Sequence, residues 1–176
     1  MKPILMIHEF KERFLDLPLE KYILTFDDGL YTQYKFLEEL KKIKTKKYFF
    51  ISSGIVCPEN LKQSGELICC ERAHTKAFKG DYTNYIKWSQ IKEIDKLDDC
   101  FIGCHSHFHD IKTADCVECI IPDNRYMLED FSKNLGYIPK YFCFPYNKRT
   151  LLYETILYNK GFKYFYGNER LDINEL

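Results

Sequence analysis

Tyr22-Ile-Leu-Thr-Phe26, followed at once by Asp27-Asp28-Gly29, is the stretch of sequence that decides the fold. A short apolar run that ends abruptly on carboxylates is typical of a strand buried on both faces, the kind found in parallel sheets. Three further runs have the same form: residues 4–7 before His8, residues 101–104 before His105-Ser-His-Phe-His109, and residues 141–144 before Pro145-Tyr146. In barrel-like α/β folds the residues just past the carboxyl ends of the strands form one shared site, so we expect these polar residues to converge.

Apolar residues at helical spacing separate these runs and predict helices between the strands. The stripes are Leu30, Tyr34, Leu37 and Leu40, then Trp88, Ile91, Ile94 and Leu97. Asp123 as an N-cap and Gly136 as a C′ residue predict a helix between them, and another is predicted from about residue 150 to 160.

Three further strands are predicted, at residues 48–51 and 162–166 and, as a short one, at residues 67–69. Strands that alternate with helices indicate an α/β fold with a parallel sheet, and about six to eight such strands allow a barrel. We expect residues 1–176 to form a single domain, since this length suffices for one substantial core.

The charge balance argues against a nucleic-acid or anionic-membrane partner. The chain has 26 basic and 26 acidic residues and a net charge of zero, so no global field favours a polyanion. The five lysines within residues 41–47 are interpreted as a solvated helix end. No apolar stretch reaches the roughly 20 residues of a membrane span, and the first apolar run is too short for a signal peptide. A cytoplasmic location is therefore expected.

The eight cysteines are interpreted as reduced thiols that pack as small hydrophobes, since most lie within apolar runs. Cys116-Val-Glu-Cys119 has the spacing of a zinc knuckle. No second Cys-x-x-Cys or His pair follows it, so a structural zinc site there is only a subsidiary hypothesis.

Asp27 and Asp28 are candidates for two different roles. Consecutive strand residues point to opposite faces, and Gly29 supplies the turn that would let both reach one site. One carboxylate can then coordinate a metal while the other accepts a proton from water. The alternative is a plain helix N-cap, for which Asp is also favoured.

The His105-Ser-His-Phe-His109 segment is a candidate metal-binding motif. If it turns helically, His105 and His109 lie on one face, and Asp28 would complete an open catalytic zinc site with three protein ligands. If it stays extended, His105 would pair with His107 instead. Ser106 is expected to orient the loop through backbone hydrogen bonds. His74, in an irregular charged stretch, is interpreted as a surface residue.

The ordered motifs resemble a known family. Thr25-Phe-Asp-Asp-Gly29, Ile102-Gly-Cys-His-Ser-His-Phe-His109 and Phe142-Cys-Phe-Pro-Tyr146 resemble the first three motifs of the polysaccharide deacetylases, carbohydrate esterase family 4 with its NodB-homology domain. Trp88-Ser-Gln-Ile91 and Gly161-Phe-Lys-Tyr-Phe165 resemble flanking elements of the same family. The resemblance implies a distorted (β/α) barrel of about seven parallel strands and the removal of N- or O-acetyl groups from carbohydrates with a divalent metal.

The resemblance also implies a role for each motif residue. Asp27 would be the general base, and Asp28, His105 and His109 would bind the metal. The backbone N–H of Tyr146 would face the oxyanion, at a turn shaped by Pro145. A two-histidine, one-aspartate site suits zinc, although cobalt, iron, nickel or manganese could occupy it.

Two departures from the family pattern concern the base and the acid. Cys143 stands where the third motif usually has an arginine, so weaker tuning of Asp27 is expected. No histidine follows His109 to serve as the late general acid. Ile4-Leu-Met-Ile-His8, however, resembles the opening of the poly-N-acetylglucosamine deacetylase branch, in which the last motif is permuted to the front. His8 is then the implied acid.

The sequence therefore predicts a metal-dependent deacetylase that acts on an N-acetylated amino sugar or glycan. A cytoplasmic location would favour a glycan precursor, a nucleotide sugar or a small conjugate as substrate. The alternative is a catalytically degenerate carbohydrate-binding domain of the same fold, for which the 28 Phe and Tyr residues could supply stacking surfaces. The sequence leaves the oligomeric state open.

Overall fold

A curled sheet of seven parallel strands is the central feature of the computed structural model, which describes residues 2–176. The strand order is β6-β5-β4-β3-β2-β1-β7. The strands are β1 Ile4–Ile7, β2 Ile23–Phe26, β3 Lys47–Ile51, β4 Cys100–Cys104, β5 Tyr141–Cys143, β6 Tyr164–Tyr166 and β7 Leu171–Asp172. The described ladder is open between β6 and β7, so the sheet is a half-barrel, and the predicted NodB-like distorted barrel is confirmed.

The strand register brings the functional strand ends to one edge of the sheet. Phe26 pairs with Ile7 on one side and with Phe49 on the other, and Ile51 pairs with Cys104. His8, Asp27 and His105 each follow directly after one of these strands. The convergence that the sequence predicts is thus built into the register.

Six helices and several 3₁₀ turns connect the strands. The helices are α1 Tyr31–Lys35, α2 Leu37–Leu40, α3 Cys70–Ala77, α4 Trp88–Ile94, α5 Val117–Leu135 and α6 Leu151–Asn159. Strand residues that face outward, such as Phe26 and Phe49 with rings stacked 4.6 Å apart, join one core with Ile91 and Phe131 of α4 and α5. Each fully buried side chain of this size contributes about 1.5–3 kcal/mol. This packing holds the helices α4 and α5 against the sheet.

The predicted start of the fifth helix is wrong. The helix α5 begins at Val117 and includes Pro122, with Cys116 as its N-cap. Asp123 is instead a buried helical residue whose carboxylate accepts hydrogen bonds from the N–H groups of His107 and Phe108. Gly136, with φ of 79°, does end the helix as predicted.

Two other local predictions are wrong. Residues 67–69 form no strand, and the helix α3 starts directly after them. Lys47 is not solvated: it is fully buried in β3, and its ammonium group donates to the carbonyls of Ile43 and Thr45 and pairs with Asp99. Within residues 2–176, no helix combines the length and apolar character needed to cross a membrane.

Candidate active site

A cavity of about 480 Å³ lies at the carboxyl edge of the sheet. Its volume falls in the range of about 300–1,000 Å³ that is usual for small-molecule sites. All six site residues predicted from the sequence line it. The lining is Met6, His8, Asp27, Asp28, Cys70, Glu71, His74, Thr75, Phe78, His105, His109, Phe144, Tyr146 and Asn147.

The Asp-Asp-Gly turn separates the two carboxylates. Asp28 has φ of 71° and Gly29 has φ of 75°, so both lie in the left-handed region. Asp tolerates this conformation better than most residues, and Gly adopts it freely. Neither aspartate caps a helix, because α1 has Leu30 at its N-cap. The helix-cap alternative is therefore excluded.

The histidine loop brings His105 and His109 to Asp28 without a helical turn. Ser106 and His109 have φ of 63° and 52°, and the N–H of His109 donates to Ser106 Oγ at 3.1 Å, so Ser106 does orient the loop. The Nε2 atoms of His105 and His109 lie 3.2 and 3.0 Å from Asp28 Oδ1. His105 and His109 therefore lie together as predicted, but a loop with left-handed residues brings them together instead of a helical turn.

His107 points away from the cavity. Its Nδ1 lies 2.9 Å from Ser53 Oγ and 3.1 Å from Asp130 Oδ2, and its ring packs on Phe108. The extended alternative, in which His107 would pair with His105, does not fit this structure.

The interpretation of His74 as a surface residue is wrong. His74 is 8 % exposed and projects from α3 into the cavity, with Nε2 3.0 Å from Asp28 Oδ2. Its ring stacks on that of His109 with centroids 4.0 Å apart. The sequence gives little indication of this helix, because residues 53–84 are irregular in composition. The helical spacing within residues 70–77 is the signal that could have revealed it.

Asp27 is held by a cation that sequence reasoning missed. Arg170 donates to both carboxylate oxygens, from Nη1 to Oδ1 at 2.7 Å and from Nη2 to Oδ2 at 2.8 Å. Cys143, where the family pattern has an arginine, places its thiol 3.5 Å from Asp27 Oδ2. The structure does not bear out the expected weaker tuning of Asp27, because Arg170 from the carboxyl-terminal segment pairs with its carboxylate and lowers its pKa.

The two carboxyl groups have low pKa values despite their burial. Burial alone would raise the pKa of Asp27, but the Arg170 guanidinium outweighs it and the pKa lies below its usual value. The pKa of Asp28 also lies well below its usual value, because the neighbouring imidazoles of His109, His105 and His74 outweigh the effect of burial. Burial lowers the pKa of His109 to about 4. Both carboxyl groups are therefore ionised at neutral pH, and His109 is neutral.

The donor set fits a divalent metal. Asp28 Oδ1 and His109 Nδ1 are buried and have no hydrogen-bond partner, although two imidazole nitrogens lie close to that oxygen. His105 Nδ1 donates to the carbonyl of Cys143 at 2.8 Å, which leaves Nε2 as the nitrogen that faces Asp28 Oδ1. Ligands about 2.0–2.1 Å from a tetrahedral ion lie somewhat over 3 Å apart, close to the separations seen here.

The thiols of Cys116 and Cys119 lie elsewhere, with Sγ atoms 2.6 Å apart. No group of metal-binding side chains within residues 2–176 includes them. The groups of side chains that could hold a metal ion within these residues all lie at the cavity, and one of them joins Asp28 with His74 and His109.

His8 and Tyr146 both line this cavity. A ring nitrogen of His8, a carboxylate oxygen of Asp28 and the Cys70 thiol all lie within 4.8 Å of one another. Tyr146 has φ of 55°, and its ring packs at a tilt against that of His109, with centroids 4.8 Å apart. The fully buried amide of Gln33, which sequence reasoning also missed, donates to the carbonyls of His8 and Asp27 and ties these strand ends together.

Comparison with known proteins identifies the family of this chain. The family model for polysaccharide deacetylase matches residues 16–165. The chain therefore belongs to the polysaccharide deacetylase family, as its motifs predict. Among curated proteins, none is found to match the sequence.

Solved structures share the fold. IcaB from Ammonifex degensii is 20 % identical with a TM-score of 0.66, covering 98 % of this chain and 85 % of its own. A de-N-acetylase from Aggregatibacter actinomycetemcomitans is 13 % identical with a TM-score of 0.68, covering 97 % and 92 %. The deacetylase PplD from Streptococcus pyogenes, solved with acetate, is 13 % identical with a TM-score of 0.63, covering 91 % and 80 %.

Proposed function

We propose that this protein is a metal-dependent hydrolase that removes the acetyl group from the nitrogen of an amino sugar or glycan. One observation carries the proposal: the Nε2 atoms of His105 and His109 converge on the buried Oδ1 of Asp28, beside a second carboxylate held separately by Arg170. A binding domain without catalysis has no need of this division between two adjacent aspartates.

Asp28, His105 and His109 are the residues that would hold the metal, with zinc as the best fit to this donor set. A bound divalent ion acts as a Lewis acid toward the acetyl oxygen and makes water more acidic. The low pKa of His109, about 4, supports the proposal because neutral imidazole is the form that binds metal.

Asp27 is the general base in this proposal. Its carboxylate is ionised at neutral pH because Arg170 lowers its pKa, so it can accept the proton of the attacking water. The bidentate contact with Arg170 also fixes the orientation of the carboxylate. Asp27 lines the cavity, so a substrate would approach its carboxylate from the cavity side.

His8 and Tyr146 complete the set on the cavity wall. His8 donates the proton that the departing amine needs, a role suited to an imidazole near neutral pH. The Tyr146 backbone N–H stabilises the oxyanion, which is worth about 3–4 kcal/mol in other acyl-transfer sites. Both roles rest on the family resemblance and on the position of these residues at the cavity.

A cytoplasmic location is part of the proposal. All eight cysteines have free thiols, the state that the reducing cytosol maintains. Alkylation of unreduced cell extract, followed by mass spectrometry, is expected to label these thiols, and disulfides in that extract would contradict the location.

Acetate release from N-acetylhexosamine monomers, nucleotide sugars and oligomers tests the activity. We expect release from at least one substrate class, loss of release with a chelator, and recovery with added zinc. The Asp27→Asn variant is the matched control. Sugar binding without acetate release, unaffected by metal, would favour the non-catalytic alternative.

A further inference from the structure

The two oxygens of the Asp28 carboxylate have different partners. Oδ2 lies 3.0 Å from His74 Nε2 in hydrogen-bond geometry. Oδ1 has no hydrogen-bond partner, although the Nε2 atoms of His105 and His109 lie 3.2 and 3.0 Å away. The Asp28 side chain is 1 % exposed, so protein contacts create this asymmetry.

Tyr85 determines which nitrogen of His74 carries the proton. Tyr85 Oη lies 3.0 Å from His74 Nδ1, and Tyr85 is 1 % exposed. Within residues 2–176 the phenol has no other hydrogen-bond partner. A buried hydroxyl proton needs an acceptor, so the phenol donates to Nδ1. The imidazole proton is then on Nε2, which donates to Asp28 Oδ2.

We propose that His74 is a positioning residue: the Tyr85–His74 pair holds Asp28 so that Oδ1, and not Oδ2, faces the metal. This inference rests on the proposed function, since it assigns a role around the same metal. Hydrogen bonds to a ligating carboxylate orient it, and their loss usually weakens metal binding about 10–100-fold. Here the orienting group comes from α3, outside the four strand-end motifs.

The competing role for His74 is that of a third imidazole ligand. Metal-binding atoms of Asp28, His74 and His109 all lie within 4.8 Å of one another. That role requires a lone pair on His74 Nε2, which would put the ring proton on Nδ1 opposite the phenol. Tyr85 would then accept a hydrogen bond and leave its own buried proton without an acceptor.

Cadmium-113 NMR of the full chain with nitrogen-15-labelled histidine separates the two roles. We expect two ring nitrogens, those of His105 and His109, to show one-bond coupling to cadmium. The His74 Nε2 signal should show a proton and no cadmium coupling. Three coupled nitrogens that include His74 would overturn the proposal.

Zinc affinity, measured by competition with a chromophoric chelator, tests the positioning itself. We expect His74→Leu to bind zinc about 10–100-fold more weakly than the parent protein. His74→Gln keeps an N–H group directed at Asp28 and should recover most of the affinity. His107→Leu makes the same change at a histidine outside the cavity and should bind zinc as the parent does. Unchanged affinity in His74→Leu would overturn the proposal.

Tyr85→Phe keeps the test valid if His74→Leu fails to fold, because it removes only the phenol oxygen. We expect zinc binding weaker than in the parent but less weakened than in His74→Leu, because His74 keeps its contact with Asp28 and loses only the phenol that orients its ring. Parent-like zinc affinity in Tyr85→Phe would overturn the proposed Tyr85–His74 pair. A parent protein that binds neither zinc nor cadmium would overturn both this inference and the proposed function. Zinc binding with acetate release, but with no effect of His74→Leu, would overturn this inference alone.

Discussion

Asp27 and Asp28 are neighbours in the chain, yet they enter two different chemical environments. Asp27 is paired with a guanidinium, so both of its oxygens are neutralised by a cation of the protein itself. Asp28 is surrounded by three imidazoles, and one of its oxygens is left without a hydrogen-bond partner. The left-handed φ of Asp28 produces the separation by turning the second carboxylate away from the first.

The difference shows how one turn can supply two functions. A carboxylate neutralised by a fixed arginine is prepared to exchange a proton, while its position stays constant. A buried carboxylate oxygen that faces two imidazole nitrogens is suited to share a cation with them. If this comparison is correct, substitution of Asp28 should remove the metal, whereas substitution of Asp27 should lower turnover and leave the metal in place.

The largest effect is expected from Asp28→Ala. Removal of this carboxylate deletes the one anionic ligand of the site, so stoichiometric metal should be lost together with acetate release. Elemental analysis of the purified protein measures the metal content. Asp16→Ala, at an exposed position, is the control and should retain metal. Full occupancy in Asp28→Ala would refute the assignment of Asp28 to the metal.

Asp27→Asn is expected to keep the metal and lose turnover. Loss of a general base lowers rates by about 10²–10⁴-fold. Metal content and acetate release should be measured on the same preparation. Asp27→Asn should keep its metal while turnover falls, whereas Asp28→Ala should lose both. Parent-like activity in Asp27→Asn would remove this residue from the mechanism.

The strand-end motifs could be predicted from the sequence because they depend on local signals. Continuous apolar runs specify buried strands, and parallel strands place their carboxyl ends at one edge. The positions of His8, Asp27 and His105 therefore follow from runs that can be read in the chain. The pairing of His105 with His109 was also anticipated, although the loop that achieves it is left-handed and not helical.

Arg170 and His74 could not be predicted in this way. Arg170 reaches Asp27 because β7 pairs with β1 across the whole length of the chain, and a two-residue strand gives no periodic signal. His74 depends on an eight-residue helix within a segment rich in charges. Local sequence favours Asp123 as a helix cap, because it carries no signal of the tertiary contact between this carboxylate and the histidine loop.

Arg170→Met tests whether the guanidinium prepares Asp27 for its role. Without the cation, burial should raise the pKa of Asp27, so the acidic limb of the kcat/KM profile should move to higher pH. The loss of one partner from a buried ion pair costs about 3–5 kcal/mol of folding free energy. Arg149→Met breaks an exposed pair with Glu154 and should cost at most about 1 kcal/mol.

The pH dependence of that stability difference has a defined sign. Arg170 lowers the pKa of Asp27 in the folded state, so the pair contributes its full stability above the unfolded-state pKa of about 3.9. The contribution is lost as pH falls through the lower folded-state value. Urea unfolding should therefore show a gap between parent and Arg170→Met that is constant near neutrality and narrows below about pH 4. A gap that widens on acidification would contradict the pairing.

The smallest effect is expected from His107→Leu, which removes an imidazole from the same five-residue motif as His105 and His109. The His107 ring bonds Ser53 and Asp130 outside the cavity, so its loss should cost about 1 kcal/mol of stability and leave zinc affinity and acetate release unchanged. His105→Leu makes the same substitution two residues earlier and should abolish tight zinc binding. Chelator competition on the two variants compares them directly. Equal losses of zinc affinity in His107→Leu and His105→Leu would mean that the loop rearranges around the metal. The comparison between Asp27 and Asp28 would then apply only to the metal-free protein.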